Sequence, residues 1–387
     1  MPTMNLVPAS VADYRREAER KLPRMLFDYV DGGSYAEYTL RKNVEDFEKL
    51  TLKQRVLFDV SQVTTAHSLF GYDMTMPAAL APIGMAGMMA RRGEIQAKRA
   101  ADAFGIPFCL STVAICSIEE IAAVSDVPFW FQLYMLKDRG AVTAILDRAK
   151  AAGVRTLVFT VDLAVVGARY RDVRNGMGGG TTAWGKLRSG LLSYLAHPGW
   201  ALDVGVKGKP HTFGNLEDYV SKATTPADFK AWIDSQLDAS VTWKDIEWLR
   251  SVWDGDLIIK GLLSTEDAIA AVDVGAEGIV ISNHGGRQLD SVSSTIAILP
   301  RVVDAVAGRT KVIIDSGIRS GQDIVKAKAL GADLTLIGRP WVYANAARGA
   351  AGVAAMLRTF QGEMKVSMAL TGVNSIEEID TRILDLE

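Results

Sequence analysis

The stretch GIVISNHGGRQLD, residues 278–290, joins a short apolar run to a polar loop that carries His284 and Arg287. A β-branched run that ends in polar residues and glycines is typical of a buried strand, so the strand should end near Ser282. Imidazole is the usual base near neutral pH, and a guanidinium group binds a carboxylate through two hydrogen bonds. The pair therefore suits an anionic substrate that must lose a proton. The alternative is a loop histidine that bonds only to the backbone.

Runs of the same kind recur along the chain, and each ends in polar or glycine residues. Eight strands are predicted, at 78–83, 107–110, 129–134, 156–161, 257–260, 278–282, 312–315 and 334–337. Amphipathic helices are predicted between several of them, at 93–104, 117–124, 139–152, 264–272 and 321–330. Ser117 and Glu120 have the spacing of a capping box. Because alternating strands and helices imply a parallel sheet, eight such units predict an α/β fold, a closed (β/α)8 TIM barrel.

Active sites of such barrels lie at the carboxyl ends of the strands, and polar or glycine residues follow the strands in this sequence. They are Ser111, Thr112, Gln132, Tyr134, Thr160, Asp162, Lys260, Ser282, His284, Arg287, Asp315, Gly317, Arg319, Gly338 and Arg339. The last two ends combine glycines with arginines, which predicts a phosphate site because backbone amides and guanidinium groups bind anions. Turn glycines with surface arginines are the alternative. No GxGxxG motif follows a strand, so a mononucleotide is favoured over a dinucleotide.

Lys260 and Asp162 have predicted roles beside the base. An ammonium group at the end of an apolar strand would stabilise negative charge on a heterocycle that accepts electrons. A structural salt bridge between Lys260 and Asp315 or another carboxylate is the alternative. A carboxylate at Asp162 would orient the imidazole of His284 and stabilise its protonated form.

Composition limits the remaining classes of protein. The chain has 387 residues, of which 49% are hydrophobic, so one large barrel domain can be filled. The formal net charge of −2 and the lack of a basic run argue against nucleic acid as a partner. Cys109 and Cys116 lack metal or redox spacing and are predicted to be reduced core thiols, and no metal site is expected. The sequence shows neither a signal-peptide pattern nor a membrane-spanning run, which predicts a soluble or peripheral protein.

Several stretches together resemble the FMN-dependent 2-hydroxy acid dehydrogenase and oxidase family over nearly the whole chain. They are Leu22-Pro23 with Phe27-Asp28-Tyr29 and Gly32-Gly33, WFQLY at 130–134, TVD at 160–162, GARYRD at 167–172, IKG at 259–261, SNHGGRQLD at 282–290 and the two phosphate loops. Within the family, the resemblance is greatest to its bacterial respiratory, quinone-linked L-lactate dehydrogenases. It implies an FMN enzyme that oxidises an L-2-hydroxy acid, here L-lactate, to the 2-keto acid.

The resemblance also implies a role for each matching residue. His284 would be the base and Asp162 its partner, while Arg169, Arg287, Tyr29 and Tyr134 would bind the substrate. FMN would be held by Ala81, Pro82, Ile83, Gly84, Ser111, Gln132, Thr160, Lys260, Ser282, Asp315, Gly317, Arg319, Gly338 and Arg339, the last five at its ribityl chain and phosphate. Tyr29 precedes the first strand, and its place in the site rests on the resemblance alone.

A single domain is expected, with a helical segment at 1–76, the two halves of the barrel at 77–172 and 257–387, and an insert and lid at 173–256. Within the insert, Trp184, Leu187, Leu191, Leu192, Leu195 and Trp200 recur at roughly helical spacing, with Lys186, Arg188, Lys207 and Lys209 nearby. This pattern favours contact of residues 182–209 with an anionic bilayer. A lid packed on the barrel, or a contact between subunits, is the alternative.

A membrane location would suit a quinone as electron acceptor. The prediction is accordingly that electrons from L-lactate pass to a quinone or another respiratory acceptor. The protein would be peripheral on the cytoplasmic face of the inner membrane and homo-oligomeric, with a tetramer favoured. The alternatives are an oxidase that uses O2, a dehydrogenase for mandelate or another bulky hydroxy acid, and a barrel that binds a phosphate ligand without redox chemistry.

Overall fold

Eight parallel strands surround the centre of the molecule in the computed structural model, which describes residues 7–177, 193–219, 232 and 235–385. They are Ala78–Leu80, Cys109–Ser111, Trp130–Leu133, Thr156–Thr160, Asp256–Leu262, Gly278–Ile281, Lys311–Ile314 and Leu334–Ile337. From the second to the eighth, each strand pairs with the next, and the eighth pairs with the first. A parallel bridge between Leu80 and Phe108 closes the ring between the first and second strands. The predicted (β/α)8 TIM barrel is confirmed.

Some strand ends differ from the prediction, and for two of them the cause is local. The first strand ends at Leu80 and not at residue 83, because Pro82 has no N–H group to continue the ladder. The fifth strand runs to Leu262 through an irregularity that begins at Lys260. At Gly261 φ is 115°, and a Cβ atom there would lie 2.7 Å from the Cβ of Asp162. Only glycine therefore lets the fifth strand pass so close to Asp162.

Helices cover the outside of the barrel. They are Gly93–Phe104, Ile118–Ala122, Arg139–Ala151, Trp243–Val252, Thr265–Asp273, Thr295–Val306, Gly321–Ala329 and Arg339–Thr371, the last with a break at Arg348 and Gly349. The five predicted helices are confirmed, with ends that differ by at most two residues. The predicted capping box is also present, because the amide of Ser117 donates to Glu120 Oε2 (2.9 Å) and the amide of Glu120 donates to Ser117 Oγ (3.3 Å).

Side chains fill the interior of the barrel, and a hairpin closes one end. Fully buried residues of the interior include Val158, Ile258, Val280 and Ile313. The hairpin pairs His67–Leu69 with Tyr72–Met74. Its turn carries Phe70, whose Cζ would lie 2.9 Å from a Cβ atom at Gly278, the first residue of the sixth strand. The amino-terminal end is thus covered, and both cysteines are buried and free, as predicted.

Part of the insert is described, and it contacts the barrel. Two short helices, Ser193–Ala196 and Pro198–Trp200, are followed by a π-helix at Ala201–Val206. The indole N–H of Trp200 donates to the carbonyl of Met88 at 2.8 Å. Trp200 therefore faces the barrel, contrary to its place in the predicted membrane-facing stripe. Most of that stripe, residues 182–192, lies outside the described residues. Among the described helices, none combines the length and the apolar character needed to cross a bilayer.

Three helices precede the barrel, and Asp31 holds the first two against it. They are Val11–Lys21, Arg24–Asp31 and Tyr38–Lys49. The carboxylate of Asp31 accepts hydrogen bonds from Arg15 (2.5 and 2.8 Å), Arg171 (2.8 Å) and Tyr343 (2.7 Å). Burial alone would raise the pKa of Asp31, but these donors hold it well below its usual range. The helix that carries Tyr29 is thereby fixed to the barrel.

Asp31→Asn should lower the free energy of unfolding by about 3 kcal/mol, because it leaves two arginines without their buried carboxylate. Equilibrium urea unfolding of the purified protein measures the loss. Asp254→Asn is the matched control, since the exposed pair of Asp254 with Lys150 (3.4 Å) contributes less than about 1 kcal/mol. Equal losses for the two variants would contradict the role given to Asp31.

Candidate active site

A cleft opens at the carboxyl ends of the barrel strands, with a volume of about 1360 Å³ including its mouth. Sixteen of the twenty residues predicted for the site line it, namely Tyr29, Ala81, Pro82, Ile83, Gly84, Tyr134, Thr160, Arg169, Lys260, His284, Arg287, Asp315, Gly317, Arg319, Gly338 and Arg339. The other four lie behind them and are Ser111, Gln132, Asp162 and Ser282. The structure thus brings together predicted residues from all eight strand ends.

A tight turn after the sixth strand presents His284 to Asp162. His284, Gly285 and Gly286 have φ values of 57°, 68° and 72°, a run of left-handed residues that two glycines make feasible. The amide of His284 donates to Ser282 Oγ at 3.0 Å, which fixes the start of the turn. Nδ1 of His284 then lies 2.9 Å from Oδ1 of Asp162. The predicted neighbours are therefore in direct contact.

The protonation state of His284 follows from its surroundings. Burial lowers the imidazole pKa, and the positive charges of Lys260 and Arg169 lower it further, whereas Asp162 raises it. The net pKa lies below the usual histidine value, so the ring is neutral at neutral pH. When Nδ1–H donates to the carboxylate, the lone pair is on Nε2. His284 is thus able to accept a proton at Nε2.

Asp162 is ionised despite its burial. Burial would raise the pKa of its carboxyl group, but His284 and Lys260 lower it, and the net shift is downwards. Oδ1 bonds to His284, while Oδ2 is buried and has no hydrogen-bond partner among the described residues. The carboxylate can therefore stabilise the positive charge that His284 acquires when it takes a proton.

Two guanidinium groups lie beside the base. Arg287 donates to the carbonyls of Tyr29 and Gly32, and its charge lies 4.8 Å from the centre of the Tyr29 ring. Nε of Arg169 donates to the carbonyl of Arg287 at 3.4 Å. Burial and the charge of Arg287 lower the pKa of Arg169 to about 10, so it stays charged near neutral pH. Burial raises the pKa of Tyr134, whose hydroxyl group therefore remains a donor. Together, the two guanidinium groups and the hydroxyl group of Tyr134 can bind an anion such as a carboxylate.

Lys260 forms a structural salt bridge, which the sequence left open as the alternative to a role beside an electron-accepting ring. It also lines the cleft. Its Nζ lies 3.1 Å from Oδ2 of Asp315 and donates to Ser282 Oγ at 2.8 Å. Burial would lower the pKa of Lys260, but Asp315 and Asp162 outweigh this effect and raise it. A permanent positive charge is therefore present at the end of the fifth strand.

Polar side chains and a glycine at the strand ends fit the FMN that the sequence implied. Nε2 of Gln132 and Oγ1 of Thr160 are buried at the strand ends without a hydrogen-bond partner among the described residues. Both are side chains that could bond to the carbonyl and N–H groups of a flavin ring. Opposite them, a Cβ atom at Gly338 would have only Ile83 and Ala81 nearby, at 3.8 and 3.9 Å. A side chain there would fill the cleft, so glycine keeps room for a ligand.

The two arginines of the predicted phosphate site differ in their contacts. Arg339 is buried and donates to the carbonyls of Val30 (2.8 Å), Gly32 (2.8 Å) and Gly285 (2.9 Å). Its guanidinium group thus ties the N-terminal helices to the turn of His284. Arg319 uses Nη1 to bond to the adjacent carbonyl of Ile318 at 2.8 Å. Both line the cleft, and burial lowers the pKa of Arg339 to about 10, which still leaves it charged.

The sequence reading missed Phe213, a buried residue of the insert that lines the cleft. Asn215 fixes this segment, because its side chain accepts from the amide of Ile118 (2.8 Å) and donates to the carbonyl of Ser111 (3.0 Å). The segment has no regular structure, so no periodicity could have indicated it.

Comparison with known proteins gives one consistent result. The model of the FMN-dependent dehydrogenase family matches residues 18–386. An L-lactate dehydrogenase from Vibrio cholerae is 53% identical over 374 residues, which cover 97% of this chain and 98% of that protein. One from Pseudomonas putida is 54% identical over 374 residues, with 97% of each chain covered. The crystal structure of a monotopic membrane protein, (S)-mandelate dehydrogenase, has a TM-score of 0.91 and 36% identity over 99% of this chain and all of that one.

Proposed function

The chain belongs to the FMN-dependent dehydrogenase family, and on that premise we propose that it oxidises L-lactate to pyruvate with His284 as the base. Membership makes it an FMN-dependent oxidoreductase that acts on 2-hydroxy acids. The observation that carries the proposal is the neutral imidazole of His284, held by Asp162 beside two guanidinium groups. The choice of L-lactate follows the names of relatives that are 53% and 54% identical.

The charged residues and the tyrosines have separate roles in binding the substrate and in moving its proton. Arg287 and Arg169 bind the carboxylate of lactate, and the hydroxyl groups of Tyr134 and Tyr29 orient it. Nε2 of His284 accepts the hydroxyl proton, and Asp162 stabilises the imidazolium that results. When bound, FMN would supply the acceptor for the α-hydrogen and the two electrons of its C–H bond, which leaves the 2-keto acid.

The cofactor residues form two groups in this proposal. Around the flavin ring lie Ala81, Pro82, Ile83, Gly84, Ser111, Gln132, Thr160, Lys260 and Ser282. At the ribityl chain and phosphate lie Asp315, Gly317, Arg319, Gly338 and Arg339. Arg319 would contact the phosphate directly. Arg339 contributes positive charge at the same end while its N–H groups hold backbone carbonyls.

A bulkier hydroxy acid such as mandelate is the second candidate substrate. The similarity in structure to (S)-mandelate dehydrogenase supports it. The apolar residues of the cleft would set the permitted size of the substrate side chain, and they are Met85, Val113, Leu163, Val166 and Phe213. Large side chains at several of these positions favour the methyl group of lactate over a phenyl ring.

Anaerobic addition of L-lactate to the purified yellow protein should bleach the flavin band, and D-lactate should not. His284→Gln should slow bleaching by at least about 100-fold, because the base is lost, while the band itself remains. The visible spectrum measures both. His67→Gln is the matched control, since His67 belongs to the hairpin at the other end of the barrel.

Three outcomes would overturn parts of this proposal. Bleaching by L-mandelate but not by L-lactate would show that mandelate, and not lactate, is the substrate. Normal bleaching of His284→Gln would remove His284 from the mechanism. A flavin band that no 2-hydroxy acid bleaches would contradict the assigned activity as a whole.

We propose that a quinone or another respiratory acceptor takes the electrons and that the insert at 182–209 rests on the membrane. The protein would be a homo-oligomer, with a tetramer favoured, at the cytoplasmic face of that membrane. Two exposed apolar side chains support the contact with the membrane, because Leu202 and Val206 are 55% and 63% exposed on the described part of the insert. The monotopic relative supports it as well. O2 as acceptor is the alternative, which rapid aerobic recovery of the flavin band would favour. A monomeric mass by light scattering would contradict the oligomer.

Replacing both Leu202 and Val206 by Glu should lower binding to vesicles of phosphatidylethanolamine and phosphatidylglycerol by about tenfold or more, because each buried aliphatic side chain contributes about 1.5 kcal/mol. Co-sedimentation measures the bound fraction. The matched control replaces Val366 and Leu370, which are 58% and 53% exposed on the last helix. Equal losses in both double variants would defeat contact through the insert.

A further inference from the structure

Gln288 lies in the same loop as His284 and Arg287, and its side chain has no part in the functions described so far. It is 9% exposed. Its Nε2 donates to the carbonyls of Asp162 (2.7 Å) and Val165 (2.8 Å), and its Oε1 accepts from the amide of Gly167 (3.2 Å). One side chain therefore uses both N–H groups and its oxygen to hold the segment 162–167 at three points.

This segment has little other support. The pairing of the fourth strand with the fifth ends with the hydrogen bond from the amide of Val161 to the carbonyl of Lys260 at 2.9 Å. Among the described residues, the backbone hydrogen bonds of 162–167 are those to Gln288. Asp162 has a single side-chain bond, through Oδ1 to His284, and no partner at Oδ2. Because the side chain has only this one hydrogen bond, the position of the carboxylate depends on the backbone that Gln288 holds.

The two loops are also in close contact. A Cβ atom at Gly167 would lie 2.4 Å from the carbonyl oxygen of Arg287 and 2.7 Å from that of Gln288. The segment that Gln288 holds carries Leu163 and Val166, which line the cleft, and leads to Arg169. A shift of this segment would therefore displace Asp162, the partner of the base, together with Leu163 and Val166, which line the cleft.

We propose that Gln288 is a positioning residue for the reaction, which acts through Asp162 by holding its carboxylate against Nδ1 of His284. The inference rests on the proposed function of the site, because it gives that pair a catalytic task. Gln288 itself is not among the residues that line the cleft. Its effect on turnover should therefore disappear once Asp162 can no longer act.

Gln288→Met keeps the length of the side chain and removes all three hydrogen bonds, so it tests the proposal. We expect kcat to fall about 10- to 100-fold, the effect of a misplaced catalytic group, with FMN still bound. Asp162 raises the pKa of His284, so its displacement should move the acid limb of kcat/KM to lower pH. Asp162→Asn should move it in the same direction. In the double variant, Gln288→Met should lower the kcat of Asp162→Asn by less than about twofold, because displacement of the residues that line the cleft acts on KM.

Two further variants separate positioning from stability. Thr310→Ala removes a buried bond of 2.8 Å from a side chain to the carbonyl of Ala276, at the start of the seventh strand, and should leave the acid limb unchanged. Gln288→Glu keeps the shape of the side chain and, when protonated, one donor. Its rate should lie between those of the wild type and Gln288→Met, and it carries the test if the Met variant does not fold.

A readout without substrate keeps this proposal distinct from the proposed function. The chain has four histidines, so NMR titration of the imidazole signals can follow His284 directly. Its pKa should fall in Gln288→Met and in Asp162→Asn, and no further in the double variant. An unchanged pKa and acid limb in Gln288→Met, or fully additive losses of rate, would overturn the role of Gln288. A wild type that oxidises no 2-hydroxy acid would instead refute the proposed function.

Discussion

The hydrogen bond between Nδ1 of His284 and the carboxylate of Asp162 joins the two loops on which the site depends. One loop follows the fourth strand and the other follows the sixth, and because both strands pair with the fifth, the order of the sheet brings the two loops within 2.9 Å. The bond also sets the protonation state of His284, on which burial and the carboxylate have opposite effects. Burial favours a neutral imidazole, which is able to accept a proton, while the carboxylate makes the protonated form tolerable once the proton has moved. A base that works near neutral pH needs both effects.

Positive charge around this pair is fixed by the backbone and by carboxylates. Arg287 and Arg339 are both held by carbonyls of the N-terminal helices, which Asp31 in turn ties to the barrel. Lys260 is balanced by Asp315. Because these groups are already oriented, an anionic substrate and a phosphate-bearing cofactor need little reorganisation of the protein to bind. The N-terminal segment is therefore part of the site, although it lies outside the barrel.

Local patterns explain why much of this could be predicted from the sequence. Each strand is a short apolar run that ends in polar residues, so the barrel and the residues at its mouth follow from periodicity and from the resemblance to the family. Contacts between distant segments leave no such trace. Phe213 reaches the cleft through an irregular part of the insert, and Gln288 matters because of carbonyls more than 120 residues earlier in the chain. Trp200 matched a membrane-facing stripe in spacing but bonds to the barrel instead.

The rate at which low concentrations of L-lactate bleach the flavin, measured anaerobically by rapid mixing as a function of pH, tests the central claim most directly. Under these conditions the rate reports the ionisation of the free enzyme. The account predicts a rate that rises with pH through a single ionisation below the usual histidine pKa, about 6.5, and then stays level, because the neutral imidazole of His284 is the active form. A midpoint above about pH 7, or a rate that falls as the pH rises through neutrality, would contradict the account, since a lowered pKa for His284 excludes both results.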